Sequence, residues 1–162
     1  MKYIFLFLVL LSFSIAEAQP TTFILVRHAE KGNDVTKDPD LTDAGSQRAQ
    51  VLANMLKKTQ VDAIYSTAYK RTRNTVTPLA TAKGLIVLPY EAFKTDEIDQ
   101  ILKKHTGGTV VIAGHSNNIP WIGNYLTGKE TYKDFADGDY DNVLIVTVVE
   151  KGRNAKVVWL SY

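Results

Sequence analysis

Short unbroken apolar runs alternate along this chain with stretches in which apolar residues recur every three or four positions. Thr21–Val26 is β-branched and apolar and stops abruptly at Arg27-His28, which predicts a buried strand. Val61–Tyr65, Leu85–Leu88 and Thr109–Ala113 predict three more, ending at Ser66-Thr67, Pro89 and Gly114-His115-Ser116-Asn117. Ala49, Leu52, Ala53 and Leu56 fall at i, i+3, i+4 and i+7, one face of a helix capped by Thr42 or Asp43. Val76, Leu79 and Ala80 mark the core face of a helix over Ala68–Lys83, in which Pro78 predicts a kink or a late start. Ile98, Ile101 and Leu102 mark a short helix over Asp96–Lys104, and Asn118–Leu126 reads as another. Lys31–Asp40 and Gly128–Gly138 are polar loops. Val143–Val149 and Lys156–Leu160, across the turn Lys151–Asn154, read as a terminal hairpin or two sheet strands.

Strands alternating with helices predict an α/β three-layer sandwich with a mostly parallel central sheet. The near-continuous apolar runs of the first four strands are those of strands covered on both faces. With 162 residues, 45% hydrophobic and 22% charged, the composition excludes a disordered or fibrous chain and suggests one domain. Nineteen basic against 17 acidic residues argue against a nucleic-acid binder, which needs a dense basic face. The absence of cysteine excludes disulfide scaffolds, cysteine zinc sites and thiol catalysis.

The first eighteen residues follow a different rule. Lys2 precedes an apolar run from Ile4 to Ile15, and Ala16-Glu17-Ala18 then places small residues three and one before a cut. That is the pattern of a secretory signal peptide. The run is shorter than the ~20 residues that span a bilayer. The expectation is a signal peptide over 1–18, a single domain over 19–162 with no membrane span after cleavage, and a periplasmic or secreted location. No cysteine follows the run, so a lipid-modified N-terminal cysteine is excluded.

In open α/β sheets, ligands sit beyond the carboxyl ends of the strands. The predicted strands deliver Arg27 and His28 there, then Ser66, Thr67 and the Lys70-Arg71-Thr72-Arg73 run, then His115, Ser116 and Asn117. Two histidines with two or more arginines describe an anion site. Arginine's fork binds phosphate oxygens in pairs and stays charged. A neutral histidine with one ring nitrogen held by an acceptor can attack phosphorus with the other. That scheme needs no metal and no cofactor.

At these residues the chain resembles the histidine phosphatase superfamily, the phosphoglycerate-mutase-like fold. Leu25-Val26-Arg27-His28-Ala29-Glu30 is similar to its Arg-His-Gly-Glu signature, with Ala29 in place of the glycine. Leu41–Gly45 with Arg48-Ala49, Ile64–Thr67 with Arg71-Thr72 and Asn74-Thr75, and Val110–Asn117 resemble three further segments in order. The resemblance covers roughly Phe23 to Leu126. It implies His28 as the nucleophile, Arg27 and Arg71 as clamps on the phosphoryl oxygens, and His115 as their donor from the other side. The family's proton donor, a carboxylate shortly after the third strand, falls on Glu91, with Asp96 and Glu97 as rivals. Asn33, Ser116 and Asn117 are candidate substrate contacts, and Glu30 a candidate for orienting the site. The implied activity is an exported phosphatase acting on a small-molecule or surface-glycan phosphate. Little chain is left between the segments for a lid that would favour phosphoryl transfer over hydrolysis, so mutase activity is disfavoured.

Other readings compete. A non-catalytic phosphate- or phosphosugar-binding module would keep the same pocket. A metal-dependent hydrolase using His28 and His115 lacks any His-Glu-x-x-His pattern. His105 closes a helix beside Lys103 and Lys104, where positive groups suit the dipole, and receives no catalytic role. Arg73 is read as solvated. Trp121 and Tyr125 are read as core packing, Trp159 and Tyr162 as sheet or surface packing, and Asp137, Asp139 and Asp141 as a polar turn.

Overall fold

A computed structural model describes residues 19–33 and 36–162. The predicted signal segment lies outside the described residues. The elements, in order, are β1 (Thr21–Arg27), α1 (Asp43–Met55), β2 (Ala63–Ser66), α2 (Lys70–Lys83), β3 (Val87–Pro89), α3 (Thr95–Lys104), β4 (Thr109–Gly114), α4 (Asn118–Thr127), β5 (Asn142–Glu150) and β6 (Asn154–Ser161). One six-stranded sheet has the order β3-β2-β4-β1-β5-β6. The pairs β2–β3, β2–β4 and β1–β4 are parallel, and β1–β5 and β5–β6 are antiparallel. The predicted terminal hairpin is therefore also a pair of sheet strands.

The pleat separates two cores. Ile24, Val26, Ile64, Val111 and Ala113 pack with Leu52 of α1, Leu56 at its C-terminal cap, and Val76 and Leu79 of α2. Phe23, Leu25, Tyr65, Val110 and Ile112 pack on the other side with Ile98 and Ile101 of α3 and Ile119, Ile122 and Leu126 of α4. Residues i and i+1 of one strand thus feed opposite layers, which is why the central strands read as continuous apolar runs. The result is the three-layer sandwich.

Thr42 caps α1, its side chain accepting from the Gly45 amide at 3.1 Å. Gly45 has to be glycine for another reason: a Cβ there would collide with the Glu30 backbone oxygen. The first turn of α1 therefore lies directly on the chain leaving β1.

Three expectations shift. First, α2 begins at Lys70 rather than Ala68, because Tyr69 holds an extended cap conformation. Pro78 lies inside the helix and does not set its start. The carbonyl that loses its partner belongs to Asn74, which borders an open groove beside Pro78, so water can reach it. Second, β3 runs Val87–Pro89 rather than Leu85–Leu88. Gly84 ends α2 at φ +64°, and the Leu85 amide is spent on the Ala80 carbonyl. Pro89 is tolerated because β3 is an edge strand. Third, β3 is half-exposed, so the expectation that all four early strands are covered on both faces fails there.

Candidate active site

The sheet order places β4 between β1 and β2, so the carboxyl ends of these three strands lie side by side. Arg27-His28, Ser66-Thr67 and His115 leave the sheet at one place. β5 runs the other way, with Val143 opposite Val26. Its amino end therefore meets the same edge and brings the loop ahead of it, residues 136–141, alongside.

A cavity of about 670 Å³ occupies this position. Its lining includes Arg27, His28, Arg71, Glu91, His115, Ser116 and Asn117. The first-chosen site residues are thus brought together, apart from Asn33. Asn33 lines a neighbouring cavity of about 370 Å³, which shares Lys31 and Arg71 with the first. Asp96 and Glu97, the rivals of Glu91, do not line the histidine cavity. Arg73 is exposed and outside it too.

His28 is 4% exposed. Its Nδ1 lies 2.8 Å from the Ala29 carbonyl. A carbonyl can only accept, so Nδ1 carries the proton and Nε2 keeps its lone pair. Burial pushes the imidazole down to about 4, and the charges of Arg71 and Arg27 push the same way. The ring is therefore neutral at pH 7, in the tautomer a nucleophile needs. The Ala29 amide is fixed in turn by Thr75 Oγ1 of α2, at 2.9 Å.

The ring of His115 stands edge-on to that of His28, centroids 5.4 Å apart. Its Nε2 shares a hydrogen bond of 3.0 Å with Thr67 Oγ1, which shares another of 2.9 Å with Thr72 Oγ1. Its backbone amide donates to Asn118 Oδ1 at 2.5 Å, and Asn118 Nδ2 donates to Tyr90 Oη at 2.8 Å. Gly114 is required beside this bridge, since a Cβ would strike the Asn118 side chain. Burial also lowers His115 to about 4, with Arg71 and Arg27 adding to it.

Both arginines line the cavity and are held by the chain around them. Arg27 Nη1 donates to the carbonyls of Ala136 (2.6 Å) and Asp139 (3.1 Å), and its Cζ lies 4.3 Å from the Tyr140 ring centre. Arg71 stacks on Tyr69 at 4.3 Å and stands 3.9 Å from Asp38. In both, the Nε–H is buried and unpartnered among the described residues. A buried unpaired donor costs free energy, and a guanidinium cannot discharge itself by losing a proton. Two such donors beside a histidine lone pair describe a socket for a multivalent oxyanion.

Glu91 lines the cavity from the loop after β3, exposed and 3.7 Å from Lys94. Glu30 faces away from the cavity lining and forms a forked ion pair with Arg48 at 2.8–3.0 Å, which lowers the carboxyl. It braces the chain between β1 and α1.

Sequence reasoning missed Lys31, Tyr69 and Tyr140 as part of the site. The aspartate-rich stretch does form a turn, closed by the Asp139 carboxylate on the Ala136 amide at 3.1 Å. It is also a wall of the cavity, because its carbonyls hold Arg27 and Asp137 lines the pocket. His105 caps α3 and meets Tyr65 Oη at 3.0 Å, away from the site. Tyr162 packs in the core layer against Arg48, and half-exposed Trp159 packs on Tyr132 and Phe135. No three histidine or carboxylate side chains cluster as a metal-ligand set among the described residues.

The model of the histidine phosphatase superfamily (branch 1) matches residues 23–95, a stretch that holds Arg27, His28, Arg71 and Glu91. Phosphoserine phosphatase 1 of Hydrogenobacter thermophilus is 42% identical over 84 residues, 48% of this chain. The match spans only 37% of that relative's length. Among solved structures, the protein histidine phosphatase SixA complexed with tungstate superposes with a TM-score of 0.72 at 17% identity, over 86% of this chain and 96% of that one. A mycobacterial glucosyl-3-phosphoglycerate phosphatase also gives 0.72, at 14% identity, over 88% and 100%. Phosphoserine phosphatase of Entamoeba histolytica gives 0.64 at 18%, over 87% and 95%. These three likenesses concern the fold. Residues 23–95 thus match the histidine phosphatase superfamily, and the chain as a whole shares the fold of these phosphatases.

Proposed function

We propose that this chain is an exported phosphatase that hydrolyses phosphomonoesters, or a related phosphoryl group, through a phosphohistidine on His28. The observation that carries the reading is the pairing of a neutral His28, its Nε2 free, with two buried arginine Nε–H donors that have no partner among the described residues. His28 Nε2 attacks phosphorus as the bond to the leaving oxygen breaks. Arg27 and Arg71 hold the equatorial oxygens, where the charge resides, and His115 binds them from the opposite side. Glu91 gives its proton to the leaving oxygen. It then takes one from the water that attacks phosphohistidine, and the P–N electron pair returns to Nε2. The rim residues Glu91, Phe93, Asn117 and Asp137 are exposed, so water has access to the intermediate and hydrolysis outruns transfer. The names of the relatives, phosphoserine and phosphohistidine phosphatases among them, support a phosphorylated small molecule as substrate; a surface-glycan phosphate fits the same chemistry.

Hydrolysis of p-nitrophenyl phosphate in excess EDTA tests the reading. Turnover that survives the chelator is expected. Loss of activity to EDTA would move the chain to metal-assisted hydrolysis, and no turnover with phosphate still raising Tm would move it to a binding module. Export is tested by expressing residues 1–162 in a bacterial host and weighing the periplasmic product. A chain beginning at Gln19 is expected; a membrane-bound chain with Met1 intact would contradict it.

A further inference from the structure

Phe93 breaks two rules at once. It is the one non-glycine residue with positive φ among the described residues, at +61°. It is also a large apolar side chain left 50% exposed. Such a conformation is strained for a bulky residue, and strain of this kind collects at ligand-binding positions. An aromatic ring held out into water by a strained backbone gains nothing from burial.

Its position supplies the reason. Phe93 lines the catalytic cavity and also a second cavity of about 320 Å³ next to it, and Asn117 borders both. The second cavity is completed by Trp121, Glu130, Tyr132 and Asp134. Phe93 meets Trp121 edge to face at 5.4 Å, and Trp121 stacks on Tyr125 at 5.6 Å with ring planes 2° apart. Trp121 packs against the core, as its spacing predicts, but is only partly buried and also lines this cavity.

We infer that Phe93 and Trp121 form the platform of a leaving-group subsite that takes the ring of a hexose phosphate, an inference that rests on the phosphatase reading of the adjoining pocket. Aromatic faces suit the C–H face of a sugar ring. Asn117, Glu130 and Asp134 are acceptors for its hydroxyls. Charge decides against an anionic leaving group. Among the described residues, Glu130 and Asp134 line the cavity and no basic side chain does, which disfavours a carboxylate on the leaving group.

The test compares the purified chain with Phe93→Gly. Glycine accepts φ +61° freely, so Tm should hold or rise. For the unaltered chain, kcat/KM for glucose 6-phosphate should exceed that for ethyl phosphate and for O-phosphoserine at least tenfold. Phe93→Gly should shrink that preference at least tenfold. A preference absent from the start, or unchanged in Phe93→Gly, overturns the subsite; so does a fall in Tm, which would make Phe93 a structural residue. Calorimetry on His28→Ala with glucose 6-phosphate and inorganic phosphate judges the subsite without turnover. Equal affinity for the two sinks the subsite, whereas failure to hydrolyse even ethyl phosphate sinks only the phosphatase reading. A phosphorylated oligosaccharide bound more tightly than glucose 6-phosphate assigns the ring to a glycan; the reverse assigns it to a free sugar.

Discussion

The parallel strands β1, β2 and β4 and the antiparallel pair β5–β6 belong to one sheet but contribute to the site in opposite ways. Each parallel strand ends at the cavity and delivers its chemistry as it leaves the sheet: Arg27-His28, Thr67 and His115. β5 arrives there at its beginning, and what it brings is support. The loop ahead of it grips Arg27 through two carbonyls and a tyrosine face, and Tyr140 also lies 5.9 Å from the His28 ring. Reactive groups come from the parallel side, and the rigidity of one of them comes from the antiparallel side. Holding a transition-state ligand by packing and backbone bonds is how a site keeps its geometry.

Removing reactive groups from the parallel side should have the largest effects. His28→Ala should abolish turnover, because no other nucleophile stands at that strand end; retention of activity in a steady-state assay would refute the scheme. Arg71→Ala should lower kcat by about a hundredfold, the usual cost of one lost transition-state contact to the phosphoryl group, about 3 kcal/mol. Arg73→Ala, one turn position away and solvent-exposed, should change kcat by no more than about twofold, since surface substitutions are usually near neutral. The reverse ranking would show that α2 has been misread.

The electrostatics give the next effect in size. His28 and His115 titrate near 4 in the folded chain, below the ordinary 6.5. At pH 5 an ordinary histidine would be charged and its nucleophilicity down roughly thirtyfold. Here kcat/KM, corrected for substrate ionisation, should stay within about threefold of its pH 7 value. The sign for stability is opposite in sense. Below 6.5 the unfolded chain binds protons that the folded chain refuses until about 4, so stability falls as pH drops through that window. Urea titrations at pH 7 and pH 5 read that loss; equal midpoints would show the rings to be solvated.

The supporting side should give the smallest effect. Tyr140→Ala removes the ring from Arg27 and should cost at most about tenfold in kcat/KM, the range of a partly buried cation–π contact. A loss as large as that of Arg71→Ala would make Tyr140 a direct participant and erase the distinction between the two sides.

What the sequence made legible follows the same division. β1 and β4 were readable because burial on both faces leaves an unbroken apolar run, and polar residues then mark where the strand ends. The site residues on those ends were readable for the same reason. β3 was misplaced because a half-exposed edge strand carries a weak pattern, and Leu85 serves the α2 cap. Asn33, a candidate substrate contact, lies on an irregular loop and lines the adjoining cavity rather than the one around His28. Tyr140 and the carbonyls of Ala136 and Asp139 gave no signal at all. Backbone acceptors have no residue type, and their arrival depends on β5 running antiparallel to β1, which local sequence does not encode.

The most direct test of the central claim is a rapid quench. The chain is mixed with p-nitrophenyl phosphate without added metal, stopped in alkali, digested and weighed. About 80 Da added on the peptide carrying His28, appearing together with p-nitrophenol release, is the predicted result for covalent catalysis at that residue. Release of p-nitrophenol with His28 unmodified at every time point, or the added mass on another residue, would contradict it.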